Sequence, residues 1–316
     1  FSMRLLDLVM LFERGKKRYH IVGDQNNGVL IGLDLEGRLF TYMDGQVLSL
    51  VNPESFSRFS DRHAYVNPGG DVLWPAPEGS RLGYEYSCAN WRVPPGLCYA
   101  RWQVLEKCAS TALVAAEVDL INSESLGLPC LFSRKVNTSL TNTGLTVLIN
   151  ECIEYLGREN LSTKQALLAP WSLCQFNCDE QSSLKLPPCP ASEIWDLYEP
   201  DSSALRKQGT EGWTVSMKTD FRFQLGLSSQ VAYLEFINPK MGFKAIRNAE
   251  PLDARLKYID IADQDPANEP EGRPVCLSAY CDPSGFMEIE AAGGCPERLE
   301  PGSKTTLTHQ TKFYRL

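Results

Sequence analysis

HIVGDQNNGVLIGLDLEGRLFTYMDGQVLSLV, residues 20–51, decides the fold class. Short apolar runs are cut by Asn26-Asn27-Gly28, Glu36-Gly37 and Asp44-Gly45. Runs of this length with Asn-Gly or Asp-Gly between them read as a meander of β-hairpins. The pattern continues outward. TALVAAEVDLIN (111–122) is a further strand, and LFSRKVNTSLTNTGLTVLINECIEYLG (131–157) holds two more joined near Asn142-Thr143-Gly144. In the second of these Leu145, Val147, Ile149, Ile153 and Tyr155 share one face at strand spacing. GWTVSMKTDFRFQLGLSSQVAYLEFIN (212–238) reads as a long hairpin turning at Ser228-Ser229. GRPVCLSAYCDPSGFMEIEAAGG (272–294) reads as another, turning at Asp282-Pro283-Ser284-Gly285. Helical windows are few: 53–63 and 251–263 suit one or two turns each. The Pro-rich stretch 186–203 is a surface loop or a crossing. No internal repeat and no composition shift divides the chain, so 1–316 is expected to be one all-β domain, a large antiparallel sandwich. Phe1-Ser2 ahead of Met3 reads as a remnant outside the natural protein.

Composition narrows the function classes. The 316 residues are 43% hydrophobic and carry a net charge of −8, which disfavours nucleic acid and anionic membranes as partners. No apolar stretch approaches the roughly 20 residues of a membrane helix. The first 23 residues lack a small-residue cleavage site after an apolar run. The 11 cysteines form no CxxC pair, and their odd number leaves at least one unpaired. They are expected to be reduced thiols of a cytoplasmic protein. With three histidines there is little material for a Cys/His metal site. Asp260, Asp263 and Asp265 lie close together but lack the spacing of a Ca²⁺ loop and read as a solvated acidic loop. Neither a metal nor a cofactor is expected.

Five segments, taken in order, resemble the galactose mutarotase-like (aldose 1-epimerase-like) proteins, in particular a bacterial branch of them. GGDVLWPAPEG (69–79) is similar to a Gly-Gly-x-x-x-Trp-x-x-Pro segment, and LFSRKVN (131–137) to an Arg-bearing central strand. LLAPWSLCQF (167–176) is similar to a segment that carries Pro-Trp in this branch and histidine in true mutarotases. FRFQLGLSSQVAYLEF (221–236) resembles a strand that usually has Lys where Gln224 stands. The closing segment 285–316 has a glutamate strand, a Leu-x-Pro-Gly turn and a final strand with His309. The resemblance implies a single-domain β super-sandwich with a concave face for a carbohydrate; the expected partner is a carbohydrate ligand and the expected state a monomer.

It also implies a role for Glu290. Interconverting sugar anomers needs a base for the anomeric hydroxyl and an acid for the ring oxygen, and the family's base is a glutamate at this position. Glu288, two residues earlier, shares its face. Two sheltered carboxylates there repel and raise a pKa; on a wet face both are simply solvated. Trp74 offers a stiff apolar plate for sugar C–H faces with Glu78 as a polar partner, or it plugs the core while Glu78 caps a loop. Trp171 has the same two readings. Arg134 is a donor to sugar hydroxyls or a carboxylate, or a strand-edge charge. Gln224 keeps a donor without the charge of Lys, and Lys244 is placed to restore it. The family's acid histidines have no counterpart at Trp74 or at Pro170-Trp171, and His309 reads as structural. The acid is then one of His63, Asp71, Glu78 or Tyr258, or is replaced by a cation, Arg134 or Lys244. Two other functions stay open: sugar binding without catalysis, and glycan hydrolysis or lysis with Glu78 or Asp71 facing Glu290 across about 5–10 Å.

Overall fold

The 20–51 meander forms as the sequence implies, as strands Tyr19–Gly23, Gly28–Gly32, Arg38–Met43 and Gln46–Val47. The tight turn Asp44-Gly45 has positive φ at both residues, 51° and 70°, the handedness that matches strand twist. The computed structural model describes residues 3–61, 63–84, 93–217, 220–259, 261–270 and 272–316. Among them lie two ten-stranded antiparallel sheets and a short pair, Leu161–Ser162 with Arg298–Leu299.

The first sheet continues from the meander through Asp71–Ala76, Ala169–Asn177, Phe286–Ala292, Leu277–Asp282 and Phe223–Leu227 to Ile194–Asp196. The second runs from Arg206–Gly209 through Leu234–Asn238, Phe243–Ala249, Lys304–Arg315, Gly144–Tyr155 and Gly127–Thr141 to Gln103–Cys108. Burial alternates along the long strands of the second sheet and is continuous along several of the first. The second sheet thus has one face in water, whereas the first is covered on both faces. Between the sheets Phe176 packs on Phe236, Phe243 and Phe313 with ring centroids 5.2, 5.6 and 6.3 Å away, each such pair contributing about 0.5–1.5 kcal/mol beyond burial.

Three local expectations change. Leu5–Arg14 is a helix. Its buried Leu5, Leu8 and Phe12 make one apolar stripe at helical spacing, which covers Leu30, Phe40 and Tyr42 on the outer face of the meander. The 212–238 segment is no hairpin. Phe223–Leu227 pairs within the first sheet and Leu234–Asn238 within the second, so Ser228-Ser229 begins an arch between the sheets. A reversal with apolar runs on both sides closes a hairpin or an arch equally well, and the partners that decide lie far off in the chain. Residues 251–263 are not helical where described, whereas Pro53–Phe56 forms a 3-10 turn. The hairpin through 282–285 is present. The ten described cysteines are all thiols. No helix among the described residues is long and apolar enough to cross a membrane.

Arg134 and Asp71 meet inside the sandwich, not on a ligand-facing surface. Arg134 donates to both oxygens of Glu151, to Asp71 and to the carbonyls of Gly37 and Asp71. Arg247 reaches Asp71 Oδ2 at 3.2 Å, Ser172 Oγ at 2.7 Å and the Ile289 carbonyl at 2.7 Å. His309 Nδ1 lies 2.9 Å from Arg247, and its Nε2 lies 3.3 Å from Glu151. A neutral ring accepting from Arg247 and donating to Glu151 satisfies both contacts. Two guanidiniums against two carboxylates leave the cluster neutral, which is what burial of charge demands. Asp71, Glu151 and His309 bring donor atoms within 4.8 Å of one another, as a metal site would, but the two guanidiniums already occupy those lone pairs. The expectation that Arg134 and Asp71 serve a ligand is therefore corrected: each alternates with residues facing the other way along its strand. Lys244 is corrected likewise. It points outward from the second sheet, 3.1 Å from Glu235 and 5.6 Å from the Tyr314 ring centroid.

Glu151→Ala, which leaves two buried guanidiniums against the single Asp71 carboxylate, is expected to lower unfolding free energy by about 3–5 kcal/mol in urea denaturation, against less than about 1 kcal/mol for Lys244→Ala. Burial, and then the Arg247 charge, holds the His309 pKa well below the ordinary histidine value. Below about pH 6.5 the unfolded chain binds a proton there that the folded chain refuses, so this residue lowers stability as pH falls. His309→Gln is expected to flatten that decline between about pH 7 and pH 5, read from denaturation midpoints.

Candidate functional site

Strand alternation puts Ser172, Cys174 and Phe176 toward the second sheet and Trp171, Leu173 and Gln175 on the opposite face. On that opposite face lies a cavity of about 390 Å³, within the range of small-ligand sites. Trp74, Glu78, Trp171, Gln224, Glu288 and Glu290 all line it. Asp71, Arg134 and Lys244 do not. Of the other acid candidates, His63 is exposed on a loop, and Tyr258 lines a separate depression, its hydroxyl accepting from the Asp253 N–H. Asp263 belongs to the cavity wall and binds Arg222 at 3.0 Å, so it is not merely part of a solvated loop. Asp265 is exposed, and Asp260 lies outside the described residues.

The two indole segments form one wall. Trp74 pairs in register with Trp171 and Pro75 with Pro170 across adjacent strands. The indole rings stand edge to face, with centroids 5.7 Å apart and planes at 71°. Tyr65 meets the far side of Trp74 at 6.4 Å, and the Arg38 guanidinium lies 5.5 Å from the Trp74 ring centroid. Gly69 and Gly70 lead into this strand with φ of 85° and 76°, and a Cβ on Gly69 would lie 2.1 Å from the Leu50 carbonyl oxygen. Only glycine permits that approach. Trp74 is 7% exposed, so it forms a wall, not a free-standing plate.

Glu290 is asymmetric. Its Oε2 accepts from Ser278 Oγ, from Gln224 Nε2 at 2.9 Å and from Trp171 Nε1 at 3.2 Å. Its Oε1 is buried, with no hydroxyl or N–H donor among the described residues. Glu288, on the same strand face, accepts from Gln175 Nε2 at 2.6 Å and lies close enough to Glu290 for each carboxyl group to influence the other's protonation. Burial pushes both pKa values up. For Glu288 the Glu290 charge adds to the rise and carries it well above the usual carboxylate range; for Glu290 the three donors pull it back. Of the two, Glu288 is the one held more strongly toward its neutral form. Burial also raises the hydroxyls of Tyr198 and Tyr280, so both stay protonated.

Several lining residues escaped the sequence reading. Gln175 was within reach of it, since it follows Trp171 by four residues on one strand face. Ser278 becomes relevant only through its register opposite Glu290. Tyr198, from the Pro-rich loop, and Arg222 are brought in by loops whose path no local pattern states.

No protein-family model matches the chain, and no curated protein does. Solved structures do match. A candidate aldose 1-epimerase from Escherichia coli K12 superposes with a TM-score of 0.59 at 12% identity, over 95% of this chain and 100% of that one. A galactose mutarotase-like protein from Clostridium acetobutylicum gives 0.55 at 12%, over 95% and 98%. Another from Lactobacillus casei gives 0.54 at 13%, over 94% and 100%. At such identities the likeness is one of architecture: this chain has the galactose mutarotase-like fold, an all-β super-sandwich.

Proposed function

We propose that the cavity binds a carbohydrate and that the protein interconverts sugar anomers, as an aldose 1-epimerase-like isomerase with Glu290 as the base. The observation that carries this is the split environment of Glu290. Three donors hold Oε2 and orient the carboxylate, while the bare Oε1 is left to accept the anomeric hydroxyl. Burial tunes the group upward from the ordinary carboxylate range, toward the working pH at which a general base is effective. The remaining lining suits a sugar. The two indoles supply apolar area, and Gln175, Gln224 and the tyrosines supply donors and acceptors in a cavity of adequate size. The similar solved structures include an aldose 1-epimerase candidate and galactose mutarotase-like proteins, in keeping with this class of chemistry. The whole of 1–316 is taken as one carbohydrate-binding domain, monomeric, and proton transfer of this kind needs no cofactor.

Binding without catalysis is the second reading. Its support is that no histidine lines the cavity among the described residues. Hydrolysis has less support: of the two partners considered for Glu290, Asp71 is engaged between the sheets by Arg134 and Arg247, and only Glu78 shares the cavity.

NMR saturation exchange between the anomers of D-galactose and D-glucose tests the proposal. Wild type is expected to accelerate exchange, and Glu290→Gln to cut kcat by about 10²–10⁴ while still binding sugar. Ligand shifts without any exchange in wild type would leave the binding reading standing and remove the isomerase.

A further inference from the structure

We infer that Glu288 is the acid, so that two adjacent carboxyl groups carry both proton movements with one proton between them. This rests on the anomer-interconverting reading of the cavity. The geometric demand is strict. The anomeric hydroxyl oxygen and the ring oxygen are bonded to the same carbon, so base and acid must be neighbours. Glu288 and Glu290 are neighbours by construction, two residues apart on one face of Phe286–Ala292 and both lining the cavity. Both are buried.

The alternatives in the cavity fit less well. Asp263 is tied to Arg222. Asp282 is already engaged, accepting from the Tyr280 hydroxyl and from Ser284. Tyr198 and Tyr280 hold their protons too tightly to release them near neutral pH. Glu78 is half-buried, on the loop after Asp71–Ala76. His20 sits on Tyr19–Gly23, outside the cavity lining, and His309 is sealed between the sheets.

The surroundings of Glu288 favour one arrangement. Gln175 donates to Oε1 and is braced from behind by Arg38, whose Nη1 lies 3.4 Å from the Gln175 amide oxygen. The proton then belongs on Oε2. Besides Glu290, the titratable or charged groups facing Glu288 are Tyr280 across one ladder, Arg38 beneath and Tyr198 from the loop. Tyr65, Arg222, Asp263, Asp282 and Glu78 are the other titratable or charged residues of the cavity wall.

The steps balance. Glu290 Oε1 takes the proton of the anomeric hydroxyl, whose electron pair forms the aldehyde C=O. The bond from the anomeric carbon to the ring oxygen breaks, and its pair is protonated by Glu288. Glu290 is now neutral and Glu288 ionised. After rotation of the aldehyde, Glu288 takes the proton back from the attacking hydroxyl and Glu290 returns its own to the new anomeric oxygen. The pair carries one negative charge throughout, so no step adds charge to a buried site.

The test compares wild type, Glu288→Gln and Glu78→Gln by anomer exchange across pH, with D-galactose binding followed by chemical shift. Wild type is expected to show a bell-shaped rate, falling at low pH as the pair takes a second proton and at high pH as it loses the shared one. Glu288→Gln should bind galactose, lose at least about 100-fold in kcat and lose the alkaline limb; Glu78→Gln, which also alters the cavity wall, should keep the alkaline limb whatever it costs in binding. If Glu288→Gln retains kcat within a few-fold, or if Glu78→Gln abolishes the alkaline limb and Glu288→Gln does not, the assignment fails while the isomerase reading survives. Absence of exchange in wild type overturns both. Should Glu288→Gln not fold, carboxyl ¹³C NMR of wild type at pH 7 decides: one protonated buried glutamate is required, and two ionised signals refute the assignment.

Discussion

The charge cluster between the sheets is the constraint on which the site depends. Arg134 and Arg247 are fully buried, and an unmatched guanidinium there is not tolerable. Their partners are distributed with consequence. Asp71 lies on the strand of Trp74, Ser172 on the strand of Trp171, and the Ile289 carbonyl between Glu288 and Glu290. The inner faces of three adjacent strands are thus gripped from the second sheet, and their outer faces carry the indole wall and the carboxyl pair. A shift of any of these strands would break a buried charge-assisted hydrogen bond as well as move a lining residue. This is how a flat sheet holds its side chains in fixed relative positions.

The carboxyl pair takes its chemistry from the same packing. A glutamate on an exposed strand is an ordinary acid. Here covered faces remove water from both, and each then depends on what else is within reach. Glu290 meets three donors and tends to ionise; Glu288 meets one amide and a neighbouring negative charge and tends to keep its proton. Two chemically identical side chains, two residues apart, acquire different roles from their environments.

The legible parts of the fold were those that local chemistry encodes. Asp44-Gly45 and Asp282-Pro283-Ser284-Gly285 turn where they should, because a two-residue or four-residue reversal depends only on its own residues and the strands beside it. Glu288 and Glu290 on one face, and the alternation from Leu145 to Tyr155, follow from the two-residue period. The arch after Phe223–Leu227 was hidden because its flanking runs are apolar in either arrangement. The helix Leu5–Arg14 carried a readable stripe at Leu5, Leu8 and Phe12, which a reading directed at leader peptides passed over.

Sequence alone determined the class of secondary structure, most of the turns, and which residues within a strand share a side. It did not determine which side meets water, ligand or the opposing sheet. Asp71 and Trp74, or Arg134 and its neighbours, are assigned to opposite environments by contacts with residues far off in the chain, such as Asp71 with Arg134 and with Arg247. Period two says that side chains alternate; only the long-range packing of one sheet on the other says which set is enclosed.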